Sequence, residues 1–150
     1  MPRDKVQPTS DTLQFMQRLW ELVHALDVRS KRMEVTIGVT GPQRLVLRTV
    51  GKTPGQSASE IASTLGKHPS TLTGVLARLE HRGLILRRAD DVDRRRTRFT
   101  LTAAGKRIDR ERKGTVEAAI RRALGRASTT QVAGMLATVQ TLVEELEREE

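Results

Sequence analysis

Residues 83–105, GLILRRADDVDRRRTRFTLTAAG, decide the architecture. Gly83 ends a helical pattern, and the segments 84–88 and 96–101 that follow read as two strands. In the second, Phe99 and Leu101 alternate with Arg98 and Thr100, the two-residue period of a strand with one buried face. Between the strands, residues 89–95 are polar and carry three acids and two arginines, which is turn composition. Thr102 then stands where an N-cap is needed. The helix it opens is expected over 103–127, with Ile108, Val116, Ile120 and Leu124 on one side. A hairpin is therefore set between helices.

Moving toward the N-terminus, residues 69–82 form a helix that begins at Pro69, where a fixed φ helps and no amide donor is required. Its apolar face is Leu72, Val75, Leu76 and Leu79. Ser57-Ala58-Ser59-Glu60 is a capping box that opens a shorter helix with Ile61, Ala62 and Leu65, closed by Gly66. Two short helices joined at Gly66 have helix-turn-helix spacing, and the hairpin behind them makes a winged helix. Thr40-Gly41-Pro42-Gln43 opens one more helix, carrying Leu45, Val46, Leu47 and Val50.

The ends are different. Over 11–34 the apolar residues Leu13, Met16, Leu19, Trp20, Val23 and Leu26 make one helical stripe. Near the C-terminus, Ser128-Thr129-Thr130-Gln131 is a third capping box. Behind it Val132, Leu136, Val139, Val143 and Leu146 recur at intervals of 4, 3, 4 and 3, the seam spacing of packed helices. Hydrophobic residues are 37% of the chain, below the soluble average of about 45–50%. Stripes that could fold back within one protomer are therefore expected to pair across a two-fold axis instead. The expected architecture is mainly α with a small β-hairpin wing. It is read as a single domain over 1–150, with dimerisation helices at 11–36 and 106–150 around a winged-helix DNA-binding core at 40–105.

Charge points to the partner. The chain carries 27 basic and 18 acidic residues. Residues 1–40 have a net charge of +1, residues 41–107 of +9 and residues 108–150 of −1. Genomic bias toward arginine would spread evenly, and this excess does not. A cationic middle between near-neutral ends suits a polyanion, and double-stranded DNA is the default partner. With no cysteine there is no disulfide framework or thiol switch. Neither a membrane span nor the apolar core of a secretory leader is visible, so a cytoplasmic, nucleoid-associated protein is expected. An enzyme reading is poor, because there is no Gly-rich phosphate loop, nucleophile motif or metal-ligand spacing. No cofactor and no metal are expected, since His24, His68 and His81 are scattered.

The DNA-contacting candidates fall in two groups. The helix 69–82 would enter the major groove, with Ser70, Thr71 and Thr73 offering hydroxyls to bases or phosphates and Gly74 allowing close approach. Lys67 and His68 just ahead would reach phosphates, and Arg78 lies two turns along. The bland alternative has Ser70 and Thr71 capping the helix and Thr73 bonded to a carbonyl one turn back. The second group is the wing tip, Arg94, Arg95 and Arg96, with arginine suited to a narrow minor groove. Asp93 is expected to turn inward and fix the loop, one arginine then pairing with protein and another reaching DNA.

These residues resemble the MarR (multiple antibiotic resistance regulator) family of winged-helix transcription factors. The resemblance is carried by Thr40-Gly41-Pro42-Gln43, Ser59-Glu60-Ile61-Ala62, His68-Pro69-Ser70-Thr71-Leu72-Thr73 and Leu79-Glu80-His81-Arg82-Gly83-Leu84-Ile85. Asp93-Arg94-Arg95 followed by Leu101-Thr102-Ala103-Ala104-Gly105 is its most specific part. It implies a triangular homodimer on a pseudo-palindromic site near a promoter, usually as a repressor. It also implies that Arg95 enters the minor groove, that Asp93 holds the wing, and that a small phenolic or other aromatic acid releases the DNA. The chain departs from the pattern at Asp91-Val92, where many relatives have proline and a polar residue, and in its third arginine, Arg96. For such an effector the candidate lining is Trp20 and His24, one turn apart, with Arg48 as counter-charge; plain packing for Trp20 and a surface position for His24 is the competing reading. An architectural or protein-interaction winged helix without an effector is the alternative function.

Overall fold

A computed structural model of the chain describes residues 10–148. The polar start at 1–9, and 149–150 at the end of the last expected helix, lie outside the described residues. The order is α1 (Ser10–Ile37), α2 (Gly41–Lys52), α3 (Ala58–Leu65), α4 (Pro69–His81), β1 (Ile85–Ala89), β2 (Thr97–Leu101), α5 (Ala103–Arg110), α6 (Val116–Leu124) and α7 (Thr129–Glu147). The three expected capping boxes all form. Thr40 Oγ1 accepts the Gln43 amide at 3.3 Å while Gln43 Oε1 accepts the Thr40 amide at 3.2 Å. Ser57 with Glu60 and Ser128 with Gln131 repeat the exchange. Each such cap stabilises its helix by about 1 kcal/mol. Thr102 caps α5 by accepting the Gly105 amide at 3.0 Å.

The chain divides into two compact units, one ending at Val116 and the other beginning at Glu117. The first holds the core. Val46, Leu47 and Val50 of α2 pack with Ile61 of α3, Leu72, Leu76 and Leu79 of α4, and Ile85 and Phe99 of the strands. The strands pair antiparallel, Ile85 with Leu101 through Ala89 with Thr97. Phe99 also bridges to Gln56, its amide donating to the Gln56 carbonyl at 3.0 Å, so β2 is held on both edges near its middle. Gly66 closes α3 in the left-handed region (φ 58°), which sets the tight turn into α4. At Gly105 the requirement is space: a Cβ there would lie 2.0 Å from the Leu84 carbonyl oxygen, so α5 lies directly against the start of the hairpin.

Two expectations are corrected. The single helix expected over 103–127 is two, α5 and α6, separated by residues 111–115. Glu111 turns extended (φ −61°, ψ 131°) and Gly114 is left-handed (φ 75°), which ends any helical ladder. Buried Thr115 donates its hydroxyl to the Arg112 carbonyl, and the Val116 amide donates to Met33 Sδ at 3.2 Å, fixing the break against α1. Second, α2 buries Val46, Leu47 and Val50 of its apolar set but not Leu45, and it buries a charged residue as well. Leu45 is 51% exposed, whereas Arg44 is 1% exposed. The Arg44 guanidinium donates to the carbonyls of Ile108, Asp109 and Glu111 at the end of α5. A helix C-terminus presents unpaired carbonyls and a partial negative charge, and a buried cation answers both.

The outer stripes stay open to solvent. On α1, Leu13, Met16, Trp20, Leu22 and Val23 are exposed, and only Met33 of this helix is buried. On α7, Leu136, Val139, Val143 and Leu146 are exposed and no residue is buried.

Candidate nucleic-acid interface

The turn between α3 and α4 is tied by His68, which is the N-cap of α4. Its Nδ1 accepts the Ser70 amide at 3.3 Å and lies 2.7 Å from Ser70 Oγ. Ser, Thr, Asp and Asn are the usual cap residues, so a histidine cap was not legible from type alone. Thr73 donates its hydroxyl to the Pro69 carbonyl at 2.9 Å. Two of the three hydroxyls expected to meet DNA are thus engaged within the helix, as its geometry favours for Ser and Thr. Lys67, His68, Ser70, Thr71, Thr73, Gly74 and Arg78 are all exposed.

At the wing the inward acid is Asp90. It is 5% exposed, and its carboxylate accepts the Val92 amide at 2.7 Å, the Asp93 amide at 3.1 Å and the Arg98 Nε–H. Those amides, then Arg98, hold its carboxyl well below the usual carboxylate range, at about 2. Arg98 extends from Asp90 to the Gly55 carbonyl at 2.7 Å, which ties the wing to the turn before α3. Asp93, expected to be the inward acid, instead sits half exposed at the tip. It still has a part in the loop: its side chain accepts the Arg95 amide at 3.1 Å and its carbonyl accepts the Arg96 amide at 2.8 Å. On β2 Arg98 lies on the exposed face, opposite to that of Phe99, and reaches Asp90 from there; three acids in one turn gave no sequence signal to choose between them.

Of the tip arginines, Arg96 lies 3.8 Å from Asp93, a loose exposed pair. Arg94 and Arg95 are exposed and, among the described residues, form no ion pair. Beside them Val92 is 98% exposed. Between the wing and α4 lies a cleft of about 570 Å³ lined by Ser57, Glu60, Thr73, Arg87, Arg95 and Phe99, among others. Arg87 stands over the Phe99 ring at 5.5 Å. Glu60 keeps its carboxyl below the ordinary value, first through the Ser57 amide and hydroxyl and then through Arg98 and Arg96. Thr73 of α4 and the wing cations Arg95 and Arg96 therefore border one concave surface, together with the acidic Glu60 of α3.

The residues named as a candidate effector lining lie as follows. Arg48 is bound by Asp109, at 3.0 Å from Oδ1 and 3.2 Å from its carbonyl, so its charge is already answered within the fold. Trp20 is 63% exposed and His24 is exposed. No group of three or more metal-ligating side chains occurs among the described residues, and no helix there is long and apolar enough to cross a membrane.

Comparison with known proteins agrees with this geometry. The sequence model of the MarR family matches residues 39–97. The HTH-type transcriptional repressor Rv2887 of Mycobacterium tuberculosis is 33% identical over 95 residues, covering 63% of this chain and 68% of the relative. Among solved structures, the transcriptional regulator SlyA superposes with a TM-score of 0.72 at 25% identity, over 87% of this chain and 94% of that one. CouR from Rhodococcus jostii RHA1, bound to p-coumaroyl-CoA, gives 0.70 at 28% identity over 91% and 94%.

Proposed function

The chain belongs to the MarR family of DNA-binding transcriptional regulators, and on that premise we propose that it is a homodimeric repressor of a pseudo-palindromic operator. The observation that carries this reading is the pairing of an exposed α4 edge with an arginine wing tip held by Asp90 on the same rigid core. Phosphate neutralisation by the cationic middle supplies most of the affinity, and its salt dependence follows from counterion release. The open apolar stripes of α1 and α7 support dimerisation, because faces of that size left in water favour association. Sedimentation of the full chain should therefore give twice its 16.8 kDa mass. A small aromatic or phenolic acid is the proposed release signal, and the structure of Rv2887 in complex with p-aminosalicylic acid supports that class.

Selection of bound fragments from genomic DNA with the purified protein tests the reading. Recovery of a palindromic site near a promoter supports it; recovery of random fragments would place the chain with architectural DNA coats. Arg95→Ala should lower affinity for the selected duplex by about 1–3 kcal/mol at fixed salt while leaving fold and dimer intact. Equal affinity of variant and parent would remove Arg95 from the interface.

A further inference from the structure

Nine residues open the recognition helix, Pro69 through Ala77, and none of them is Arg, Lys, Asn, Gln, Asp or Glu. Those are the side chains that pair with base edges through two hydrogen bonds or a strong charge-assisted one. Nine residues are two and a half turns, the part of such a helix that lies deepest in a major groove. The exposed residues there are Pro69, Ser70, Thr71, Thr73, Gly74 and Ala77. Two of the three hydroxyls are engaged, Ser70 against His68 Nδ1 at 2.7 Å and Thr73 on the Pro69 carbonyl at 2.9 Å. What α4 has left to offer is largely methyl groups.

Short side chains reach bases only if the helix backbone comes close, and Gly74 gives that clearance. A Cβ built there meets nothing nearer than the Arg78 guanidinium at 3.8 Å. On the DNA side, the major groove has one apolar projection, the C5-methyl of thymine, and Thr and Ala methyls are its natural contacts. We propose that α4 reads thymine methyl groups through the methyls of Thr71, Thr73 and Ala77, in place of hydrogen-bonded base readout. This rests on the DNA-binding reading above and specifies its operator chemistry: half-sites defined by thymines in register with α4, with arginine of the wing acting outside that register.

The test uses the full chain and duplexes it selects from a random library. Single thymines are then exchanged for deoxyuridine, which keeps every hydrogen-bonding atom and removes only the methyl. At thymines facing α4 each exchange should lower affinity about fourfold, the loss expected for one buried methyl. The variant Thr71→Ser/Thr73→Ser keeps both hydroxyls, including the bond to Pro69, and its helix content is checked by circular dichroism. It should bind the thymine duplex more weakly and respond less to the exchange. Insensitivity to deoxyuridine throughout the site would overturn the proposal. So would losses that persist undiminished in the double variant at more than one thymine per half-site, since Ala77 is the one proposed methyl it leaves; such losses would come from duplex shape. Binding without any selected sequence overturns methyl readout alone, whereas failure to bind any duplex overturns the DNA-binding reading with it.

Discussion

Arg44→Ala is expected to cost the protein about 2–4 kcal/mol of stability, because it removes the guanidinium on which three carbonyls converge and opens a space where a buried side chain stood. The carbonyls of Ile108, Asp109 and Glu111 converge on this one guanidinium, which is almost wholly shielded from water. At the end of α5 the Ile108 carbonyl also accepts the Glu111 amide at 3.1 Å, and the Asp109 carbonyl also accepts from Arg48 and Arg112. In a chain of this length the thermal midpoint should fall by roughly 10 °C, measured at one protein concentration because association also shifts it. Arg44→Lys keeps the charge but not the planar fork, so it should recover only part of the loss. If the alanine variant melts together with its parent, the convergence of α2 on α5 has been misjudged.

The same residue shows where sequence reading stops. Helical periodicity assigns α2 a buried face, and Val46, Leu47 and Val50 occupy it. The pattern has no means of recognising that a charged side chain takes a core position, since burial depends on carbonyls that lie 64 or more residues further on. The break between α5 and α6 is hidden for a related reason. Ile108, Val116, Ile120 and Leu124 suggest one continuous stripe, yet Gly114 and the Val116 contact with Met33 interrupt it.

Local signals fared better. Thr40, Ser57, Thr102 and Ser128 were all legible as caps, because a cap and its partner sit three residues apart and need nothing else. The two strands of the hairpin were legible to within a residue, and the alternation of Phe99 and Leu101 with Arg98 and Thr100 gave the faces of the second; the pairing register was not read. Within the interface, the α4 edge and the wing were placed correctly as elements. The state of their groups was not legible: the hydroxyl of Thr73 has one acceptor within its own helix, and that choice changes what the residue presents to a base. Arg48 is a similar case, its role decided by Asp109 across the fold rather than by its neighbours in sequence.

Asp90→Ala should lower operator affinity by about 1–3 kcal/mol, roughly fivefold to more than a hundredfold, although the residue itself touches no DNA in the proposed complex. Its carboxylate gathers the Val92 and Asp93 amides and the Arg98 side chain, and through Arg98 reaches Gly55. Without it the tip loses the contacts that hold Arg94 and Arg95 in one place, and ordering them on DNA then costs conformational entropy. Amide exchange at Val92 and Asp93 should accelerate in the free variant, which distinguishes loss of loop order from loss of a direct contact. Asp90→Asn, a neutral near-isostere, should fall between the parent and the alanine variant. The pH dependence has a definite sign. A carboxyl lowered from 3.8 to about 2 in the folded chain contributes stability that is complete above about pH 4. That contribution disappears as pH falls from there through about 2. At neutral pH the group stays ionised, so the wing should hold its order from about pH 5 to 8, and any change in operator binding over that range must come from other groups. Unchanged affinity and unchanged exchange in Asp90→Ala would mean that the wing is ordered by its strand pairing alone, with the buried carboxylate incidental to it.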